Sequence, residues 1–127
     1  AVFSILTSRF PEKAFICSYG QIRRAVFMLL DLFDKNTVFS YAGDFDPEGL
    51  LIAERLKKRY GDRLAFWKYE PDIYLKYMSE EKLTNQRIIK LDGVRDDALL
   101  KIAELMREEG RAAYQESMLE EYVNSPM

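Results

Sequence analysis

The sequence predicts an α/β fold: a parallel sheet flanked by helices, followed by a mostly helical C-terminal part. Three observations carry this. Apolar runs of strand length alternate with stretches of helical periodicity. The runs are rich in β-branched and aromatic residues, and glycine or proline stands at most of the changeovers. At 127 residues the chain is about one domain long. It reads as a single unit, with 1–79 forming the sheet-and-helix core and 80–127 the mostly helical remainder.

Ala1 to Phe10 reads as a short apolar helix stopped by Pro11. Ala14 to Tyr19, closed by Gly20, reads as a buried strand. Ile22, Ala25, Val26 and Leu29 have the spacing of one helical face, so a helix is expected from Gln21 to about Asp34. Thr37 to Ala42 is a second β-rich run. After it, Asp46 is placed as an N-cap and Pro47 in a first helical turn, where its missing N–H costs nothing. Gly49, Ile52, Ala53 and Leu56 mark the buried face of that helix, which Gly61 stops. Arg63 to Tyr69 is a third strand, and a short helix from Pro71 to Met78 follows. Glu80 to Gly93 looks irregular. Asp96 or Asp97 caps a helix whose face is Leu99, Ile102, Ala103 and Met106. Gly110 breaks it, and a last helix is expected from Arg111 to about Tyr122.

Composition narrows the function. With 48% apolar and 31% charged residues, a packed core is expected. A net charge of −2 excludes attachment to nucleic acid by bulk positive charge, although a local basic patch is compatible with it. No apolar run approaches the roughly 20 residues that span a bilayer, and no basic-then-apolar signal segment is visible. One cysteine, Cys17, excludes an internal disulfide framework and fits a reducing cytoplasm. The absence of histidine excludes a His-based triad and His-built zinc sites.

One segment carries chemistry. In open parallel sheets, ligands bind beyond the carboxyl ends of the strands, where Gly43-Asp-Phe-Asp-Pro-Glu-Gly49 is placed. In extended chain, Asp44 and Asp46 point to the same side. Two such anions repel unless a cation lies between them. Mg²⁺, with Mn²⁺ as a substitute, is the natural cation: it takes oxygen ligands and is often held by one or two carboxylates, with water and phosphate completing the octahedron. The following helix N-terminus favours a phosphate nearby. The plainer reading is that Asp46 is only an N-cap and Asp44 a solvated loop residue.

The stretch Tyr41-Ala-Gly-Asp-Phe-Asp-Pro-Glu-Gly-Leu-Leu-Ile-Ala53 resembles the TOPRIM domain of Wadjet-type plasmid-defence nuclease D subunits, which are kin to the A subunit of type VI topoisomerases. Phe15-Ile-Cys-Ser-Tyr-Gly-Gln21 resembles that family's second strand and Ser-x-Gly-Gln turn, and Tyr114-Gln-Glu116 resembles a Gln-Glu pair in its last helix. The resemblance implies a TOPRIM, Rossmann-like fold and metal-assisted cleavage of DNA phosphodiester bonds. Asp44 and Asp46 would be catalytic metal ligands and water the nucleophile. It also implies a glutamate at the end of a first strand. Neither is found here, so the expectation is that both lie ahead of Ala1, that the chain is a C-terminal piece, and that it is inactive alone. Glu12, in a Pro-flanked loop, is a poor substitute. DNA and SMC-like motor subunits are the partners implied; no membrane is, and a homodimer is left open.

Other residues have two readings. Glu48 is a further metal ligand or simply complements the helix dipole. Ser18, Gly20, Gln21 and Gly43 contact substrate or merely make tight turns. Cys17 reads as a buried small hydrophobe. Arg55, Lys57, Lys58 and Arg59 offer a DNA-backbone contact or a solvated face. Trp67 and Tyr69 fit packing better than base stacking, and Gln115 and Glu116 either reach the site or lie on the surface. Two other Asp-x-Asp chemistries compete. Haloacid-dehalogenase-type phosphatases normally have Thr where Glu48 stands, and a sugar-nucleotide transferase fold is unexpected in so short a chain. The non-enzymatic alternative is a TOPRIM module that docks DNA or partner subunits without cutting.

Overall fold

Two β-rich runs separated by a helix favour parallel pairing, because the helix supplies the crossover that parallel strands need. The computed structural model, which describes residues 2–16 and 24–124, pairs β1 (Phe39–Tyr41) with β2 (Leu64–Phe66) in this way. Phe39 lies opposite Leu64, Ser40 opposite Ala65 and Tyr41 opposite Phe66. The Trp67 N–H donates to the Tyr41 carbonyl (2.8 Å), carrying the contact one residue further. The helices are α1 (Val2–Arg9), α2 (Arg24–Asp31), α3 (Pro47–Tyr60), α4 (Pro71–Tyr77), α5 (Asn85–Ile89), α6 (Asp97–Glu109) and α7 (Leu119–Val123). The protein is thus mixed α/β, with a small parallel sheet and a helical C-terminal part.

Local sequence explains the long helices. Asp46 caps α3 by accepting from the Gly49 N–H (2.7 Å), Pro47 opens it, and Gly61 closes it at φ 56°. Asp96 caps α6 by accepting from the Ala98 N–H. Gly110 ends it in the left-handed region at φ 65°, which costs glycine little. The α6 stripe of Leu99, Ile102, Ala103 and Met106 is buried as its spacing predicts. It meets Phe45, Leu50, Ala53, Tyr74, Leu91 and Tyr122 in one apolar cluster drawn from both ends of the chain. A smaller cluster of Leu30, Leu56, Tyr60 and Leu64 lies under α2.

Three sequence expectations change, and a fourth falls largely outside the described residues. Between Ala14 and Tyr19 only 14–16 are described; they are irregular, and Ile16 is half exposed. Cys17, Ser18, Gly20 and Gln21 lie outside the described residues. The expected third sheet member is therefore not seen among them, and the sheet there has two strands. The α2 face is rotated: Leu30 is buried while Ala25 and Leu29 are exposed. The helix turns Phe27 and Leu30 towards Leu56 and Tyr60, which its own spacing cannot specify. Residues 80–93 are not irregular throughout. Thr84 caps the five-residue α5, too short to show a period, and the 3₁₀ turn Lys90–Gly93 follows. The last helix does not start at Arg111. Arg111 bridges Lys82 and Ala113 bridges Phe45, both antiparallel, so inter-segment pairing replaces helix there. A 3₁₀ turn (Gln115–Met118) leads into the short α7.

Phe45 is the most telling core residue. It is wholly buried, stacked on Tyr69 (centroids 4.5 Å apart, 15° between planes) and tilted against Tyr74 (5.7 Å). Phe45→Ala should lower the free energy of unfolding by about 3–5 kcal/mol. Urea denaturation checks this, and a loss below about 1 kcal/mol would show that the aromatic stack does not anchor the loop.

Candidate functional site

The chain leaves β1 at its carboxyl end and passes through Ala42 to Asp46 before α3 begins. Phe45 turns into the core, and alternation in extended backbone sends the flanking aspartates to the other side. Four contacts fix this segment. Phe45 exchanges backbone hydrogen bonds with Ala113: its N–H donates to the Ala113 carbonyl (2.7 Å), and the Ala113 N–H donates back (2.9 Å). The Tyr69 hydroxyl donates to the Asp44 carbonyl (2.8 Å). The Tyr41 hydroxyl donates to the Gly49 carbonyl (3.2 Å). The two bracketing glycines are required by space: a Cβ on Gly49 would lie 2.2 Å from the Asp44 carbonyl oxygen, and one on Gly43 2.2 Å from the Tyr41 hydroxyl.

Each aspartate is oriented by one backbone donor. The Gln115 N–H donates to Asp44 Oδ1 (2.9 Å), and the Gly49 N–H to Asp46 Oδ1 (2.7 Å). Among the described residues, Asp44 Oδ2 accepts no hydrogen bond, and Asp46 Oδ2 has only a long contact with Arg87 Nη2 (3.3 Å). Burial raises both carboxyls above the ordinary aspartate range. The neighbouring charge of Glu116 adds to this at Asp44, and those of Glu48 and Asp44 at Asp46. The backbone donors, and at Asp46 Arg87, offset it only in part. Burial also raises the Tyr41 and Tyr69 hydroxyls, followed at Tyr41 by the charges of Asp46 and Asp44 and at Tyr69 by that of Tyr41 and then the same aspartates.

Glu48 faces a different environment. It accepts from Arg87 Nη2 (2.6 Å) and Nε (3.1 Å) and from Lys90 Nζ (3.1 Å). Partial burial pushes its carboxyl up, but these hydrogen bonds outweigh it and hold the group below the ordinary glutamate range. Arg87 Nη1 lies 3.8 Å from Glu81, which in turn accepts from the Tyr114 hydroxyl. Sequence reasoning missed Arg87, Lys90 and Glu81. They stand more than thirty residues from the aspartates, Arg87 on a helix too short to announce itself, with Glu81 ahead of it and Lys90 at the start of the turn that follows.

The remaining candidates separate clearly. Gly43 is buried against Tyr41. Gln115 reaches the site through its backbone, while its side chain donates to the Tyr122 hydroxyl. Glu116 is exposed and acts on Asp44 by charge. Of the basic cluster on α3, Arg59 pairs with Asp31, Arg55 lies over the Phe27 ring and Lys57 donates to the Leu64 carbonyl; Lys58 is exposed. Trp67 and Tyr69 pack within the fold, Trp67 against Tyr122 and Phe10.

Residues 1–125 match the family described as protein of unknown function C-terminus, DUF2399. The chain belongs to this family. No curated protein and no solved structure matches it. Among the described residues of this DUF2399 chain, no helix is long and apolar enough to cross a membrane, and no group of three or more Cys, Asp or Glu side chains is gathered as a ready metal cage.

The raised aspartates predict a pH signature. A carboxyl whose folded-state pKa lies above its unfolded value stabilises the fold at low pH, and this contribution is lost as pH rises through the folded value. Asp44→Asn, which keeps an oxygen for the Gln115 N–H, should therefore gain stability over wild type as pH rises above about 4. The two should converge at lower pH. Thermal unfolding from pH 3 to 8 measures the difference, and a gap that does not widen with pH would contradict the burial account.

Proposed function

We propose that this DUF2399 chain carries the paired aspartates of a TOPRIM-type, Mg²⁺-dependent DNA-cleaving site, as the nuclease subunit of a plasmid- or phage-defence system. The observation that carries the reading is the arrangement of Asp44 and Asp46. Both lie at the carboxyl end of β1, each is fixed by one backbone N–H, and each keeps its second oxygen outside a strong hydrogen bond.

The donor set suits a hard divalent cation. Among the described residues, Asp44, Asp46, Glu48 and Glu81 face Arg87 and Lys90, which leaves that group with an excess of two negative charges before Glu116 is counted. Two carboxylates without a third protein ligand match the way Mg²⁺ is commonly held, with water and substrate phosphate filling the remaining positions. When bound, the ion supplies Lewis-acid polarisation of the scissile phosphate and offsets charge on the attacking or departing oxygen. The chain's own residues orient and exclude. The Gln115 and Gly49 N–H groups hold the carboxylates in place, as hydrogen bonds to ligating carboxylates do elsewhere. Phe45 and Tyr69 close the inner side, and the N-terminus of α3 favours a phosphate. The Tyr41 and Tyr69 hydroxyls are engaged with carbonyls and raised by burial, so the reading takes water, not tyrosine, as the nucleophile.

One observation favours a second reading, a TOPRIM module that docks DNA or partner subunits without cutting: Asp46 already serves as an N-cap and touches Arg87. Asparagine separates the two, because it caps a helix as well as aspartate but carries no charge. Asp44→Asn and Asp46→Asn should each weaken Mn²⁺ binding by about tenfold or more, measured by calorimetry, while far-ultraviolet circular dichroism stays unchanged. Mn²⁺ binding that survives both substitutions would leave Asp46 a cap and remove the nuclease reading.

A further inference from the structure

Arg87 is not an ordinary surface cation. Its side chain is 27% exposed and sits between Asp46, Glu48 and Glu81 on the rim of the aspartate loop. Nε and Nη2 both donate to Glu48, which fixes the plane of the guanidinium. Its other contacts are looser: Nη2 is 3.3 Å from Asp46 Oδ2, and Nη1 is 3.8 Å from Glu81, beyond hydrogen-bonding range, with Tyr114 alongside. Lys90 Nζ donates to Oε2 of the same Glu48 (3.1 Å) and is half exposed.

We propose that Arg87 contacts a backbone phosphate of DNA beside Asp46, and that Glu48 aims this guanidinium instead of binding metal. The inference rests on the reading of the site as DNA-cleaving. Two cations would compete for one oxygen. Asp46 Oδ2 is the atom that both a divalent ion and Arg87 Nη2 would claim, and two cations on one carboxylate oxygen repel. The Asp46 contact is the longer of the two that Nη2 makes, so it is the one released. Glu48 then still holds the guanidinium, and the Nη2 donor released from Asp46 would be left for a phosphate oxygen. Phosphate accepts readily from a fixed planar fork, and Lys90 adds a second positive charge on that rim. If Arg87 merely neutralised Glu48, its loss would alter stability but not the number of phosphates neutralised on binding.

The test is an anisotropy titration of a fluorescein-labelled DNA duplex at fixed Mn²⁺ over a series of KCl concentrations. Wild type, Arg87→Ala, Arg87→Lys and the control Lys58→Ala are compared. Each neutralised phosphate contributes a little under one unit to the slope of log affinity against log salt. Arg87→Ala should bind more weakly with a slope reduced by about one unit, and Arg87→Lys should retain the slope. Should Arg87→Ala not fold, Arg87→Gln, which can still donate to Glu48 but carries no positive charge and leaves the Lys90–Glu48 pair in place, takes its place with the same expectation. A folded variant lacking Arg87 with unchanged affinity and slope overturns the proposal. Calorimetry with Mn²⁺ keeps this apart from the underlying reading: if Asp44→Asn loses Mn²⁺ while the Arg87 variants bind DNA normally, only the role of Arg87 fails. Wild type that binds no DNA overturns both.

Discussion

The candidate site depends on two negative charges held where a short strand gives way to a helix. Asp44 and Asp46 are partly buried, and among the described residues Arg87, which touches Asp46, is drawn mainly to Glu48. An excess of negative charge in a half-buried place is unfavourable unless a cation joins it. The backbone is accordingly fixed from several sides: by the bridge to Ala113, by the Tyr69 and Tyr41 hydroxyls, and by glycines at the two positions where a Cβ would collide. Many fixed points of this kind are what a site that holds a ligand in one geometry requires.

The C-terminal part of the chain is what completes that framework. The run from Gly110 to Gln115 threads between the aspartate loop and residues 79–83, receiving hydrogen bonds from Ser79 and Leu83 on one side and exchanging them with Phe45 on the other. Ala112 and Ala113 are fully buried, and their small side chains allow the close backbone approach. The Tyr74 hydroxyl donates to the Arg111 carbonyl (2.7 Å) and ties α4 to the same run. Helix α6, by its buried stripe, and α7, through Tyr122, anchor the two ends. The helical part is therefore a wall of the site. The same wall supplies the N–H that orients Asp44, while α5, just ahead of α6, supplies the arginine beside Asp46.

Much of this was legible in the linear sequence. Asp46 as cap, Pro47 in the first turn, Gly61 and Gly110 as stops and the α6 stripe all follow from rules that act within a few residues, where local backbone chemistry decides. The aspartate pair was legible for the same reason, since alternation in extended chain needs no tertiary information. The rotated face of α2 and the replacement of helix by bridges at Arg111 and Ala113 were not. Both depend on which distant surface the segment meets.

The sequence by itself thus determined the strand-to-helix turn, the two carboxylates within it and the identity of the long helices, because each is encoded by spacing and capping over one or two turns. Only the tertiary structure decided that Arg87 and Lys90 meet Glu48, and that the Gln115 backbone holds Asp44. Those contacts join residues from 39 to 71 positions apart. At such separations, packing of the whole core, and not any local preference, sets who meets whom.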